Sequence, residues 1–273
     1  MKVTTETIYN TFKNIGHDVF IKSLRDLTCI QISDEHSIVI AVDSDGGIGP
    51  QEGDVVKVSA YVSGRFAIRV PLLEILASGA TPLCAFDMLT LPMNEIGRDI
   101  LRGIKDELKA AGFGDDFTVS GSTEDNVPTN MTGIGTTIVG MADTKSLRPG
   151  SSQEGDLLLC IGIPKSGPDD KIELHDPEII SQESMKRLLE TPGVHDILPV
   201  GSHGIKYEAE EMARTAGLSW HVPAQCGVNL KKSAGPSTCV LASCPQTVYH
   251  NLINCIKTPV TQLGHFTKKE TND

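Results

Sequence analysis

Apolar and polar positions along this chain follow two periods, and the switches between them mark out short strands and amphipathic helices. Ile8, Phe12 and Ile15 recur at helical spacing and predict a helix over residues 5–16. Arg25 to Ile32 alternates as a strand, Ser33–His36 reads as a turn, and Ser37–Val42 as the returning strand. That reading puts Asp26 on a strand paired with the one that delivers Asp43. Lys57–Val62 reads as extended. Ser63 and Gly64 then open a helix that runs to Ala77, with Gly79 as its stop. Phe66, Val70, Leu73 and Leu76 make its apolar face, and Glu74 reads as a surface carboxylate. Pro71 predicts a kink, because proline removes a backbone hydrogen bond. Pro82–Leu91 predicts a strand. Ile96, Ile100, Ile104 and Leu108 mark the clearest helix, closed by Gly112. Phe117–Ser120 and Thr132–Met141 are the remaining strands of this half.

Composition shifts between Asp143 and Glu154, where Lys, Ser, Pro and Gly cluster as in a connector. This predicts two domains, residues 1–145 and 151–273. In the second, Leu157–Ile163 reads as a buried strand, Asp176–Glu190 as a helix and His195–Val200 as a strand. Gly201-Ser202-His203-Gly204 turns into a helix from Ile205, a strand–glycine–helix joint whose free N–H groups suit phosphate. Leu218–Val222, Thr238–Ser243 and Val260–Phe266 read as strands, Gln246–Ile256 as a helix, and Lys268–Asp273 as a frayed polar tail. The fold class expected is α/β (α+β), with ample length for a core.

The net charge of −11 argues against nucleic acid as partner, which needs a basic footprint. No window approaches a membrane span, and a soluble cytoplasmic protein is expected. Seven scattered cysteines without a C-x-x-C pair argue against a zinc ribbon or a disulfide framework.

The chemistry concentrates in Asp43-Ser44-Asp45-Gly46-Gly47-Ile48-Gly49, read as a strand end that breaks into a glycine loop. Strand side chains alternate, so both aspartates point to one side. Like charges held that close call for a cation or a proton, and the glycines bare the backbone to a ligand. The same residues also suit a hairpin turn with two solvated aspartates. Asp26, Glu74, Glu124 and Asp125 add carboxylates from other strand ends and loops. A set of oxygen ligands beside glycine loops favours Mg²⁺–nucleotide chemistry over soft-metal chemistry. The chain carries no P-loop, no H-E-x-x-H and no nucleophile elbow.

Three segments together resemble one superfamily. They are the acidic loop 43–49, Gly64-Arg65-Phe66-Ala67 through Glu74 to Pro82, and Ser120-Gly121-Ser122-Thr123-Glu124. The first is similar to the Asp-Gly loop of the aminoimidazole ribonucleotide synthetase, thiamine-monophosphate kinase and selenophosphate synthetase superfamily. The second is similar to the G-R-K-A…N-x-S-D helix of its kinases, and the third to its G-G-[DE]-T turn. The resemblance implies a two-domain synthetase-like fold whose N-terminal strands close a β-barrel in a homodimer. It implies ATP and Mg²⁺ as cofactors and a small-molecule substrate. By position it implies metal-binding roles for Asp26, Asp43, Asp45, Glu74, Glu124 and Asp125, with Asp43 and Asp45 catalytic. It implies nucleotide contacts at Gly46, Gly47, Gly49, Arg65, Gly121, Thr123, Ser202 and Gly204. Four positions depart from the pattern: Pro71, Glu74, Ser122 and His203 replace the family's asparagine and acids. The nearest branch is the α-ribazole kinase of cobamide salvage, which implies phosphorylation of α-ribazole to its 5′-phosphate. A thiamine-monophosphate-type kinase and a non-catalytic nucleotide-binding regulator are the alternatives.

Overall fold

The computed structural model describes residues 3–14 and 20–269. In chain order, the first half forms α1 (Thr5–Asn14), β1 (Ile21–Leu24), β2 (Leu27–Gln31), β3 (His36–Gly46) and the short β4 (Ile48–Gly49) and β5 (Val56–Lys57). It continues with α2 (Ala60–Ala77), β6 (Thr81–Leu89), α3 (Glu95–Ala110), β7 (Thr118–Thr123) and β8 (Gly133–Asp143). The second half forms β9 (Leu157–Ile161), α4 (Gln182–Glu190), β10 (Ile197–Pro199), α5 (Gly204–Ala216) and β11 (Leu218–His221). It ends with β12 (Val240–Cys244), α6 (Gln246–Cys255) and β13 (Val260–Lys268). Residues 15–16 of the expected first helix and 270–273 of the expected tail lie outside the described residues.

Six strands of the first half form one sheet in the order β1-β2-β3-β8-β6-β7. Its one parallel pair, β6 with β7, is joined through α3, as a parallel crossover requires. Val39, Ala41, Ala85 and Ile138 on one face pack against Ile68 and Leu72 of α2 and Ile104 of α3. The second half forms an antiparallel sheet in the order β10-β12-β9-β13-β11. Both its faces are covered. Leu157, Leu159 and Ile161 meet Met185 and Leu188 of α4 and Leu252 of α6. Leu158 and Cys160 meet Ile205 and Met212 of α5. A strand buried on both faces reads as an unbroken apolar run, which is what Leu157–Ile161 does.

Helix α2 belongs to both cores. Ile68, Leu72 and Ile75 face the first sheet, while Leu73 and Ala77 face the second. A helix apolar nearly all round is a buried one. It begins earlier than its sequence suggests, at Ala60, because the Ser59 hydroxyl caps it by accepting from the Val62 amide. It runs through Pro71, where packing on all sides outweighs the lost hydrogen bond. It crosses α3 closely: a Cβ on Gly64 would overlap the Ile100 carbonyl, and one on Gly103 the Tyr61 carbonyl. Glu74 is 9 % exposed, so it is a buried carboxylate and not the surface one expected.

Three further segments differ from their sequence reading. Leu24 pairs with Leu27, so Arg25 and Asp26 form the tight turn between β1 and β2, with Arg25 at φ +56°. Asp26 is thus in a turn and not on a strand. β3 does not break at Asp43 but runs to Gly46, because β8 offers a full partner: Asp43 lies opposite Thr136 and Asp45 opposite Ile134. α4 starts at Gln182, and residues 164–181 form a strap without regular structure. Lys165 cinches that strap by binding Asp176 and Glu178, each at 2.6 Å.

Arg25 ties the halves together. Its guanidinium binds Asp196 through two parallel bonds of 3.0 and 2.5 Å and donates to the Thr215 hydroxyl at 2.8 Å. The Gly150 amide donates to the same aspartate. Both charged side chains are almost wholly buried. Removing one partner strands the other charge, at a cost of roughly 3–5 kcal/mol. Arg25→Met is therefore expected to lower unfolding free energy by about that amount in urea titrations. A loss below about 1 kcal/mol would show that the pair does not hold the halves.

Candidate functional site

Asp43 and Asp45 share the face of β3 that carries Val39 and Ala41, so they point the way the core points. β8 keeps buried residues opposite them, Thr136 across from Asp43 and Ile134 across from Asp45, so the two carboxylates are set against the core, about 7 Å apart by strand spacing. Burial pushes the Asp45 carboxyl up to about 7, with the Asp43 charge adding to it. Asp43 is also raised, first by burial, with Asp26 adding and the Ser44 amide opposing. Glu74 of α2 is pushed well above the usual carboxylate range by burial, then by Asp26 and by Glu208 of α5. Glu208 rises to about 7 through burial first and then Asp26, opposed by a hydrogen bond from the Gly201 backbone. Asp26, Asp43, Asp45, Glu74 and Glu208 thus form one electrostatic neighbourhood drawn from β3, α2, α5 and the β1–β2 turn.

A cavity of about 620 Å³ opens beside it. Asp43 and Asp45 line it, together with Gly201 and Ser202 where the chain enters α5. Ile48, Val62, Phe66, Val70, Ile172 and Pro236 make its walls. Its lysines are engaged. Lys57 donates to the Gln51 and Glu52 carbonyls. Lys171 pairs with Glu173 at 2.5 Å and Lys232, just behind the wall, with Asp170 at 2.7 Å.

The other candidate residues lie elsewhere or do other work. Glu124 and Asp125 follow β7, three strands from β3, or about 14 Å across the sheet. Glu124 accepts from the Asn126 and Val127 amides, which hold it below the usual range, and Asp125 accepts from Thr123. They shape a turn on the edge strand. Gly121 leaves room for Asp87, and Gly49 for Thr132 and Asp54. Gly47 is bonded to Thr132 through its N–H and to Val55 and Val56 through its carbonyl. Gly46 has nothing within 4 Å on its Cβ side and opens on a second hollow beside Thr90, Thr132 and Gly133. Gly204 takes φ +80° at the start of α5. Arg65 turns away from the carboxylates and binds Glu107.

Among the described residues no three or more His, Cys, Asp or Glu side chains stand close enough to hold a metal ion by themselves. The donor set nonetheless fits Mg²⁺, which takes one or two carboxylates and completes its shell with water and phosphate oxygens. Asp43 and Asp45 are two such carboxylates, buried enough to resist ionising without a cation.

The sequence reading missed Glu208. Its signal was present: Ile205, Ala209 and Met212 define the buried stripe of α5, and Glu208 falls on that stripe. It missed Arg25 because the partner, Asp196, is distant in the chain. It missed Asp54, which pins the loop after β4 by accepting from the Thr132 amide at 2.7 Å and hydroxyl at 2.8 Å.

Among the described residues no helix is long and apolar enough to cross a membrane. No curated protein sequence matches the chain. Residues 24–142 match the family model described as AIR synthase related protein, N-terminal domain. Among solved structures the chain is similar to thiamine monophosphate kinase from Aquifex aeolicus, at 16% identity and TM-score 0.63, over 96% of this chain and 94% of that one. It is similar to AaThiL complexed with AMPPCP and TMP, at 14% identity and TM-score 0.65, over 98% of this chain and 92% of that one. It is also similar to T. maritima PurL complexed with ADP, at 14% identity and TM-score 0.63, over 96% of this chain and 45% of that one. This chain therefore has the AIR synthase-like fold, with most of its N-terminal half matched by that family's N-terminal domain.

Proposed function

We propose that this protein is an ATP-dependent, Mg²⁺-requiring kinase of the cytoplasm that phosphorylates α-ribazole at its 5′-hydroxyl. The observation that carries this reading is the cavity, whose lining joins paired carboxylates to mostly apolar walls. The carboxylates suit Mg²⁺ and a triphosphate, and the neighbours that bind AMPPCP or ADP share the fold. The apolar walls suit an aromatic base with little polar decoration, as a dimethylbenzimidazole is. In the lining the acids Asp43, Asp45 and Asp170 outnumber the lysines Lys57 and Lys171, which weighs against an acceptor that already carries a phosphate, such as thiamine monophosphate.

The transfer forms a bond from the acceptor oxygen to the γ-phosphorus and breaks the β–γ bridge, releasing ADP, with the hydroxyl proton passing to water. Such transfers depend on positioning and charge neutralisation more than on covalent chemistry. Mg²⁺, when bound, supplies the neutralising charge on the phosphates. Asp43 and Asp45 would hold it, with Asp26, Glu74 and Glu208 behind them. Ser202 and the start of α5 face the transferred group. Phe66 and Ile172 clasp the base and exclude water. The outer face of the six-stranded sheet exposes Val42, Leu83, Phe86 and Met88, which supports a homodimer formed through that face. A second reading, a nucleotide-binding regulator without turnover, draws on Ser122 and His203 in place of acids.

With ATP, Mg²⁺ and α-ribazole, the protein is expected to release ADP and form α-ribazole 5′-phosphate, with thiamine monophosphate a far poorer acceptor. Asp45→Asn is expected to cut turnover at least 100-fold with the fold retained. ATP binding without ADP release on any nucleoside would favour the regulator.

The same aspartate gives a stability signature. Its folded pKa near 7 stands above the unfolded 3.8, so the native state holds the proton more tightly. The stability this lends is complete below about pH 4 and is lost as pH rises through 7. After solvent screening the loss is on the order of 2 kcal/mol. Metal-free Asp45→Asn is therefore expected to melt above wild type at pH 8, with the gap closing toward pH 4. Parallel melting curves at both pH values would contradict the raised pKa.

A further inference from the structure

A separate cavity of about 440 Å³ lies between α2 and α3 on one side and the strap leading into α4 on the other. Phe66 is a wall of both this cavity and the first. We propose that this second cavity binds an oxyanion, the carboxylate or phosphate group of a small molecule, on Arg69.

Arg65 and Arg69 stand one turn apart on α2, and both address Glu107 of α3. Glu107 Oε2 accepts from Arg65 Nε at 2.7 Å. Its Oε1 accepts from Arg69 Nη1 at 3.1 Å and from Gln182 Nε2 at 2.6 Å. One carboxylate therefore serves two guanidiniums and is already shared with an amide. Arg65 has further support: its Nη1 donates to the Tyr61 hydroxyl, which donates to Asp106. Arg69 has none. It is 6 % exposed, yet among the described residues its Nε and Nη2, both buried, have no acceptor. Its guanidinium carbon also lies 5.9 Å from the Phe66 ring, a weak partner beside a charge-assisted hydrogen bond.

Buried guanidinium nitrogens without acceptors are costly, and such groups in a native protein need a reason. The other charges on the cavity cancel. Asp176 is held by Lys165 at 2.6 Å, and Glu183 and Lys257 face each other at 3.9 Å on the rim. The deficit is one anionic acceptor at Arg69. A planar guanidinium fork matches a carboxylate or phosphate edge. Ser181 and Gln182 bring the first turn of α4 to the same cavity, whose dipole also favours an anion. The volume suits a small metabolite. Because the Phe66 ring lies against Arg69, an anion that engages Arg69 bears on the wall of the first cavity.

The site stands whether or not the kinase reading does, and the test separates them. The full chain is titrated with inorganic phosphate and with succinate at constant ionic strength, by calorimetry and thermal melting. At least one anion is expected to bind wild type and to raise its Tm by about 2–4 °C near saturation. Phosphate alone would identify a phosphate-bearing ligand, succinate alone a carboxylate, and both a general oxyanion site. Asp45→Asn is expected to bind as wild type does. Arg69→Gln is expected to lose at least tenfold in affinity, and Lys257→Glu, an exposed rim change, about threefold. Should Arg69→Gln fail to fold, Lys257→Glu decides. The proposal is overturned by no binding of either anion, by binding lost in Asp45→Asn, or by affinity unchanged in the foldable cavity variants.

Discussion

Helix α2 cannot exist in this protein without two partners. Ile68, Leu72 and Ile75 need one apolar surface, and Leu73 and Ala77 need another on a different side of the same helix. Each large aliphatic side chain taken from water contributes about 1.5–3 kcal/mol, so neither surface can be given up cheaply. The helix therefore fixes how the two sheets sit, and the cavity at its N-terminal half follows from that. Ser63, Phe66 and Val70 line the cleft because Ala67 and Ile68 are held inward. Glu74 is delivered to the seam between the halves for the same reason. Arg25 and Asp196 reinforce this arrangement, but they act across a seam that α2 has already defined.

The carboxylates work against the fold. For Asp43, Asp45, Glu74 and Glu208, burial is the first cause of the raised pKa and mutual repulsion only the second. Acids at the surface of a strand end would show the repulsion and little else. Desolvation marks these as groups set into the protein before any counter-charge arrives. Such sites store instability that a ligand relieves, which is a property of binding centres more than of structural ion pairs. The contrast with Glu107 and Asp196 is direct: both are buried, and both are met by arginine.

How much of this was legible depended on the distance over which each feature is decided. Helix α3 was readable from Ile96, Ile100, Ile104 and Leu108, because one face packs and one is wet. β9 was readable because both its faces are buried. The turn at Arg25 and Asp26 was not, since its place is set by the pairing of Leu24 with Leu27 and not by turn residues. The burial of Glu74 was missed by treating α2 as one-faced, although Phe66 to Ala77 holds only Arg69 and Glu74 as charged residues. Strand order separates Glu124 and Asp125 from the other acids, and order is a property of topology that local composition does not encode. Glu208 could have been found by asking why an acid sits on the apolar stripe of α5.

The two cavities share more than Phe66. The strap 164–181 runs along both, offering Ile172 to the first and Leu174 and Asp176 to the second. It is cinched at its neck by Lys165 and tied near its tip by Asp170, which accepts from the Ser166 amide and Lys232. Long segments without regular structure inside a compact chain are commonly functional, and this one lines both hollows. In the first cavity the acids Asp43, Asp45 and Asp170 outnumber the lysines, of which Lys57 meets only neutral carbonyls. In the second the acids are matched and one arginine is not. Negative charge thus predominates in the cavity on one side of the Phe66 ring, and an unmet arginine stands on the other. A ligand for either side is selected first by the sign of the charge it must supply, and only then by its shape.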